Sequence, residues 1–234
     1  MKKGIRKIFS EVPETYELVN HVLTFGLDRV WRRRAARLAA RMGGTRWLDL
    51  CTGTGEMAVL LDRAAKDRTR VYAADFSLPM LRKAAAKPEA RKVRFVLSEA
   101  DHLPFPRNTF DLVTVSFATR NLHLDRGRLI LTFEEVRRVL KPGGWFVNLE
   151  TSQPSLSIVR KAFHVHVALW VRPVGSLLSG SRDGYAYLSH TIPRFYRAEE
   201  LAGIMREAGF VEVSFRPLLF AAAAVHKGRK AAGP

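Results

Sequence analysis

Strand-like runs alternating with helix-like runs predict an α/β protein built on a doubly wound, mostly parallel seven-stranded sheet of Rossmann-like layout. Three observations carry this expectation. The apolar run Trp47-Leu48-Asp49-Leu50-Cys51 breaks into a turn, Thr52-Gly53-Thr54-Gly55, and passes into Met57-Ala58-Val59-Leu60-Leu61, which reads as a helix. Further strand-like runs recur along the chain, most of them separated by helical patterns, which implies right-handed crossovers into a parallel sheet. At 234 residues the chain can bury a substantial core as one domain.

Taken in order, residues 1–44 read as an N-terminal helical region. Residues 46–51 form the first strand and 57–65 its helix. Residues 70–75 are the second strand, and Pro79 opens a helix to about residue 86 at the position where its missing N–H costs nothing. Strands follow at 92–97 and 110–117. Residues 129–140 carry Ile130, Phe133, Val136, Val139 and Leu140 at helical core spacing. Lys141-Pro142-Gly143-Gly144 reads as a turn closing that helix, and 145–150 as the fifth strand. Residues 155–194 break the alternation with a helical stretch and turn-prone Gly175, Gly180 and Asp183-Gly184, so they read as an insertion placed to be a substrate lid. A helix at 201–208 and strands near 211–217 and 220–226 complete a single domain, 1–234.

A hydrophobic content of 47% with 26% charged residues is ordinary globular composition. Cys51 is the only cysteine, which excludes an intramolecular disulfide and a multi-cysteine metal site, and cytoplasmic residence is expected. The basic start Met1-Lys2-Lys3-Gly4-Ile5-Arg6-Lys7 lacks the apolar core of a signal peptide. No uncharged apolar run approaches the roughly 20 residues that span a bilayer. His164 and His166, two apart, would face different ways on a helix and make a poor metal pair, and no metal is expected.

Net charge is +17, a sign that attracts nucleic acid, anionic lipid or acidic ligands alike. Arg29, Arg32, Arg33, Arg34, Arg37 and Arg41 crowd one predicted helix that also carries Val30, Trp31, Leu38 and Met42. That pattern fits a peripheral element on an anionic membrane surface. It fits equally a core-packing helix with a solvated arginine face. No separate RNA-binding module is visible, so nucleic acid is not expected as a partner.

The glycine turn marks a cofactor site, because bare backbone and a helix N-terminus let a nucleotide-like ligand approach closely. The turn also fits the dinucleotide pattern, with Asp75 twenty residues after Gly55. Asp49 and Glu56 would add negative charge where a dinucleotide puts its pyrophosphate. A cofactor with a cationic head, such as S-adenosyl-L-methionine (SAM), suits those acids better than NAD does.

Asp49-Leu50-x-x-Gly53-Thr54-Gly55, Ala74-Asp75-Phe76-Ser77, Leu103-Pro104-Phe105, Asn108-x-Phe110-Asp111 and Leu140-Lys141-Pro142-Gly143-Gly144 resemble a class I SAM-dependent methyltransferase. Tyr16-x-x-x-Asn20 with Phe25-Gly26, Ser116-Phe117-x-x-Arg120-Asn121, Tyr185-x-Tyr187-Leu188 and the ending Ala224-Val225-His226-Lys227-Gly228-x-Lys230 resemble, more narrowly, the ubiquinone/menaquinone C-methyltransferase family. The chain departs from that pattern at Glu56, Glu99, Ala118-Thr119 and the glycine-free Phe220-Ala221-Ala222-Ala223. The resemblance implies methyl transfer from SAM to a ring carbon of a prenylated quinol, most simply demethylmenaquinol to menaquinol. An alternative is another small hydrophobic acceptor.

By motif, the resemblance implies Gly53, Thr54, Gly55 and Asp75 at the cofactor, with Asp75 accepting from the ribose hydroxyls. Glu99, Ala100 and Ser116 would lie on the adenine side and at a strand end, and Asp49 would face the cationic methionine end. Methylating a quinol carbon needs an adjacent oxyanion, which Arg120 would stabilise with Asn121 orienting it; the base is open among a water relayed through Arg120, His123 and Tyr185.

Overall fold

The computed structural model describes residues 13–122, 125–179 and 182–233. Two helices come first, α1 (Pro13–Leu23) and α2 (Leu27–Ala40). The sheet begins with β1 (Arg46–Leu50), α3 (Glu56–Ala64), β2 (Arg70–Asp75), α4 (Leu78–Ala85), β3 (Arg94–Leu97) and β4 (Phe110–Ser116). It continues through the short α5 (Thr119–Leu122), α6 (Arg126–Val139) and β5 (Leu140–Thr151). The insertion holds α7 (Ser157–His166), a wider helical turn (Val167–Val171), α8 (Arg172–Ser179) and α9 (Arg182–Thr191). The chain closes with α10 (Ala198–Glu207), β6 (Phe210–Leu218) and β7 (Ala223–Lys230).

Strand order is β3-β2-β1-β4-β5-β7-β6, with the first five strands parallel and β7 antiparallel to both neighbours. This is the expected sheet. Its central strands are buried on both faces: Trp47, Leu48 and Leu50 of β1 and Leu112, Val113 and Val115 of β4 are all at most 2% exposed. Such strands read as continuous apolar runs because helices cover both sides. One face packs Leu129, Phe133, Leu201 and Met205 from α6 and α10. The other packs Trp31, Ala35, Ala39, Met57 and Leu61 from α2 and α3.

Element boundaries moved where local bonds decide them. Asp125 caps α6 by accepting the Arg128 N–H at 2.8 Å, so that helix starts at Arg126. The expected turn at residues 141–144 lies within β5: register passes from Phe110↔Leu140 to Leu112↔Trp145, so these residues bulge out of the ladder. The last strand begins at Ala223 and not at 220, because Leu219, Phe220 and Ala221 all take positive φ and form the hairpin turn.

The arginine-rich helix is a core helix. Asp28, Trp31, Arg32, Ala35, Ala36 and Ala39 form its buried stripe, spaced three and four apart as a core-facing helix requires. Trp31 packs inward against Phe117 at 6.2 Å between ring centroids, and Arg29, Arg33, Arg34 and Arg37 face out. The helix packs on the core through this stripe, with Trp31 facing inward and the remaining arginines exposed. No helix among the described residues is long and apolar enough to cross a bilayer.

Candidate active site

Strand order reverses between β1 and β4, and open α/β sheets bind ligands beyond the carboxyl ends of their strands at that point. Each strand is followed there by a residue with a left-handed backbone, Cys51 (φ 55) after β1 and Phe117 (φ 56) after β4. These sharp exits open a cavity between the strand ends, lined by Asp49, Gly53, Thr54, Asp75, Glu99, Ala100, Ser116 and Asn121 among others. Eight of the ten expected site residues therefore meet in one place. Gly55 supports the turn from behind. It begins α3 at φ 83, and a Cβ on it would lie 2.9 Å from the Ala84 Cβ. Arg120 stands in a second cavity.

Asp49 is 1% exposed and accepts hydrogen bonds from the Thr52 and Thr114 hydroxyls at 2.6 and 2.7 Å. Burial pushes its carboxyl up to about 6 against those bonds and the nearby Arg32 charge. Asp75 has a task that the sequence did not show. Its carboxylate accepts the Gly53 N–H and the Ser77 N–H, both at 2.9 Å, so it pins the glycine turn to the end of β2. Burial raises its pKa as well, opposed by these backbone bonds. Burial likewise raises the Cys51 thiol, with Asp75 and Asp49 adding to the effect. Ser116 Oγ and Asn121 Oδ1 are buried without a hydrogen-bond partner among the described residues.

The second cavity, about 410 Å³, lies under the insertion and the N-terminal helices. Its walls are mostly apolar, including Leu23, Trp31, Phe163, Leu188 and Ile192, with Arg120, Asn121 and Glu150 as a polar patch. That patch is held by β5. Asn148 and Glu150, two apart on one face of the strand, are fully buried. Glu150 accepts the Arg120 N–H at 3.0 Å, and Asn148 accepts the Thr119 hydroxyl at 2.6 Å. The Arg120 guanidinium donates to Thr191 at 2.7 Å, at the end of the insertion, while its Nε is buried with no hydrogen-bond partner among the described residues. His226 supports this region from behind, buried against the Ala198 carbonyl at 2.9 Å, and burial lowers its pKa.

Tyr16, Arg32, Phe117 and Asn121 line both cavities. Arg32, grouped with a surface by its sequence, is 5% exposed. It pairs with Asp28 and with Glu56 at 3.3 Å and lies over the Phe117 ring at 5.0 Å. His21 completes the cluster, 2.8 Å from Asp28 and 3.4 Å from Glu56. The cluster Glu17, His21 and Glu56 is occupied by ion pairs, since Glu17 is held by Lys87 at 2.5 Å. His164 meets Gln153 at 2.7 Å while His166 faces the Leu23 carbonyl at 3.3 Å, so the two histidines do point apart. His123, residues 1–12 and the side chain of Tyr185 lie outside the described residues.

Two cavities, one carrying several acids at a glycine turn and one almost wholly apolar, meeting at four side chains, suit transfer of a small group between two bound molecules. The profile of the ubiE/COQ5 methyltransferase family matches residues 1–230. The chain belongs to that family. It is 36% identical over 232 residues to the demethylmenaquinone methyltransferase of Geobacillus kaustophilus, covering 98% of this chain and 97% of that one. It is 35% identical over 227 residues to the ubiquinone/menaquinone biosynthesis C-methyltransferase UbiE of Desulfotalea psychrophila, covering 97% and 90%. A SAM-dependent methyltransferase structure from Aquifex aeolicus shares the fold, with a TM-score of 0.58 and 19% identity over 83% of this chain and 88% of that one.

This ubiE/COQ5-family protein is a methyltransferase, and its cofactor is SAM. The residues present fit that group. Buried acids suit an ammonium and a sulfonium, open space faces Gly53, and the orphaned Ser116 and Asn121 oxygens await polar partners. Sequence reasoning missed Tyr16 and Arg32 as junction residues, and Glu150. The signal for Arg32 was its spacing from Ala35, Ala36 and Ala39, the small residues of the inward face. The signal for Glu150 was its alternation with Asn148 inside an apolar strand.

Proposed function

We propose that the enzyme methylates a ring carbon of a prenylated quinol, demethylmenaquinol to menaquinol. The observation that carries this is the apolar cavity that joins the cofactor cavity at Tyr16, Arg32, Phe117 and Asn121 and holds a buried cation, Arg120, on its wall. The names of the relatives support the same acceptor.

SAM supplies an electrophilic methyl group when bound. In this reading Asp49 and Glu56 face its cationic end, and Asp75 accepts from the ribose hydroxyls with the lone pairs left by Gly53 and Ser77. Thr54, Glu99, Ala100 and Ser116 complete the contact, and Gly53 and Gly55 shape the turn. On the acceptor side, a ring hydroxyl loses its proton and its electron density moves to the adjacent carbon. With SAM bound, that carbon would take the methyl group and release S-adenosylhomocysteine; the carbon-bound proton is then lost and the oxyanion regains one, which restores the aromatic quinol. Arg120 stabilises the oxyanion and Asn121 orients it. The apolar walls exclude water, and alignment of the two ligands supplies much of the acceleration. The insertion, residues 155–194, serves as the lid through the Arg120 to Thr191 contact.

The test is methyl transfer from methyl-labelled SAM into reduced and oxidised demethylmenaquinone, with RNA as a control. Label on a ring carbon of the reduced form alone supports the reading. Label only in RNA, or equal labelling of the oxidised quinone, contradicts it.

A further inference from the structure

Helix α7 contains no buried residue, yet it carries Ile158, Val159, Ala162, Phe163 and Val165. One side is explained, because Val159, Ala162 and Phe163 line the acceptor cavity. The other is not. Ile158, Ala162, Val165 and Leu169, spaced four, three and four apart, form an outward stripe in which Ile158 is 77%, Val165 55% and Leu169 65% exposed. Ala162 belongs to both sets, so the stripe adjoins the cavity opening.

The opening itself is apolar. Phe25 and Phe220 line the cavity while remaining 72% and 75% exposed. Both sit on left-handed backbone, Phe25 at φ 52 and Phe220 at φ 51 between Leu219 and Ala221, which are left-handed too. Three consecutive non-glycine residues in that region are strained, and such strain is retained where it positions a group for function. Here it holds two phenyl rings out into solvent.

We propose that this rim seats on an anionic lipid bilayer, with Phe25, Ile158, Val165, Leu169 and Phe220 entering the acyl boundary. This rests on the prenylated-acceptor reading above: the ring passes from the membrane into the cavity while the prenyl chain stays in lipid. Charge favours that occupant over a second copy of the chain. The protein carries +17, with exposed Lys161 on α7 and Arg29 just beyond Phe25, and two such surfaces repel each other while anionic lipid attracts both. An amphipathic helix of this kind lies in the interface and does not span it.

The experiment is co-sedimentation of the full chain with phosphatidylglycerol vesicles, using wild type and the variants Ile158→Ser/Val165→Ser/Leu169→Ser and Phe25→Ser/Phe220→Ser. SAM affinity serves as the folding control. Each variant is expected to lose about tenfold or more in vesicle partitioning, since binding scales with the apolar area buried. Methylation of a short-tailed, water-soluble quinol is followed in the helix variant, and is expected to persist while turnover of a long-tailed quinol in vesicles falls. Unchanged partitioning, or no binding by wild type, overturns the proposal. So does a concentration-dependent dimer in lipid-free solution that the same substitutions abolish. Vesicle binding is read without substrate, so failure of the quinol assignment shows separately, as no methylation of either quinol.

Discussion

Arg32 on α2 reaches Glu56, the first residue of α3, across 3.3 Å. This contact ties the N-terminal helices to the glycine turn beside the junction of the two cavities. It turns one of a row of similar arginines into an internal one.

Arg32→Gln is therefore expected to behave unlike its neighbours. Removing the guanidinium takes one cation from the buried Asp28 carboxylate, which keeps His21 and Thr24, and from the partly exposed Glu56, which keeps His21, a loss of about 1 to 3 kcal/mol. Thermal unfolding should show this loss, while Arg33→Gln and Arg37→Gln, on the exposed face, should change stability by less than about 0.5 kcal/mol.

Cofactor affinity should depend on pH through Asp49. Burial holds its folded pKa at about 6, against about 3.9 unfolded. The folded protein thus binds the extra proton between those values. This group's contribution to stability is fully present below about pH 4 and lost as pH rises through about 6. A cationic ligand favours the ionised form, so SAM binding should release a proton near pH 6 and weaken below it. Calorimetry in two buffers of different ionisation enthalpy measures the release, and Asp49→Asn should abolish it.

Asp75→Ala removes a charged acceptor and frees the Gly53 N–H. SAM affinity should fall by about 1.5 to 3 kcal/mol, measured by titration. Unchanged affinity would place the ribose elsewhere.

Arg120→Ala should leave SAM affinity within about twofold and lower kcat by about 100-fold or more, the usual cost of removing an oxyanion donor. A parallel loss of SAM affinity would assign Arg120 to the cofactor instead.

Asp111→Ala should destabilise the fold without touching the chemistry. Its carboxylate accepts the Thr45 and Arg46 N–H groups at 2.9 Å each and the Lys141 ammonium at 2.7 Å, holding its pKa below the usual carboxylate range despite partial burial. Chemical denaturation should show a loss of about 1 to 3 kcal/mol.

The sheet was legible because β1, β2, β4 and β5 are buried on both faces and so appear as apolar runs bounded by turn residues. The cofactor turn was legible because Gly53, Gly55, Asp49 and Asp75 lie within local reach of one strand-turn-helix unit and its neighbour. The acceptor side was less so. Its polar patch depends on Glu150 reaching Arg120, thirty residues away, and on Thr191 in the insertion. Arg32 was misgrouped because charge alone does not say which face of a helix is inward. The left-handed turn at Leu219, Phe220 and Ala221 carries no glycine to announce it.

The most direct test of the account is a structure of the enzyme with S-adenosylhomocysteine and a short-tailed quinol. The sulfur is expected at the junction of Tyr16, Arg32, Phe117 and Asn121, the ring beside Arg120, and a methyl carbon built on that sulfur within about 3.5 Å of a ring carbon. A ring bound outside the second cavity, or a sulfur directed away from it, would contradict the account.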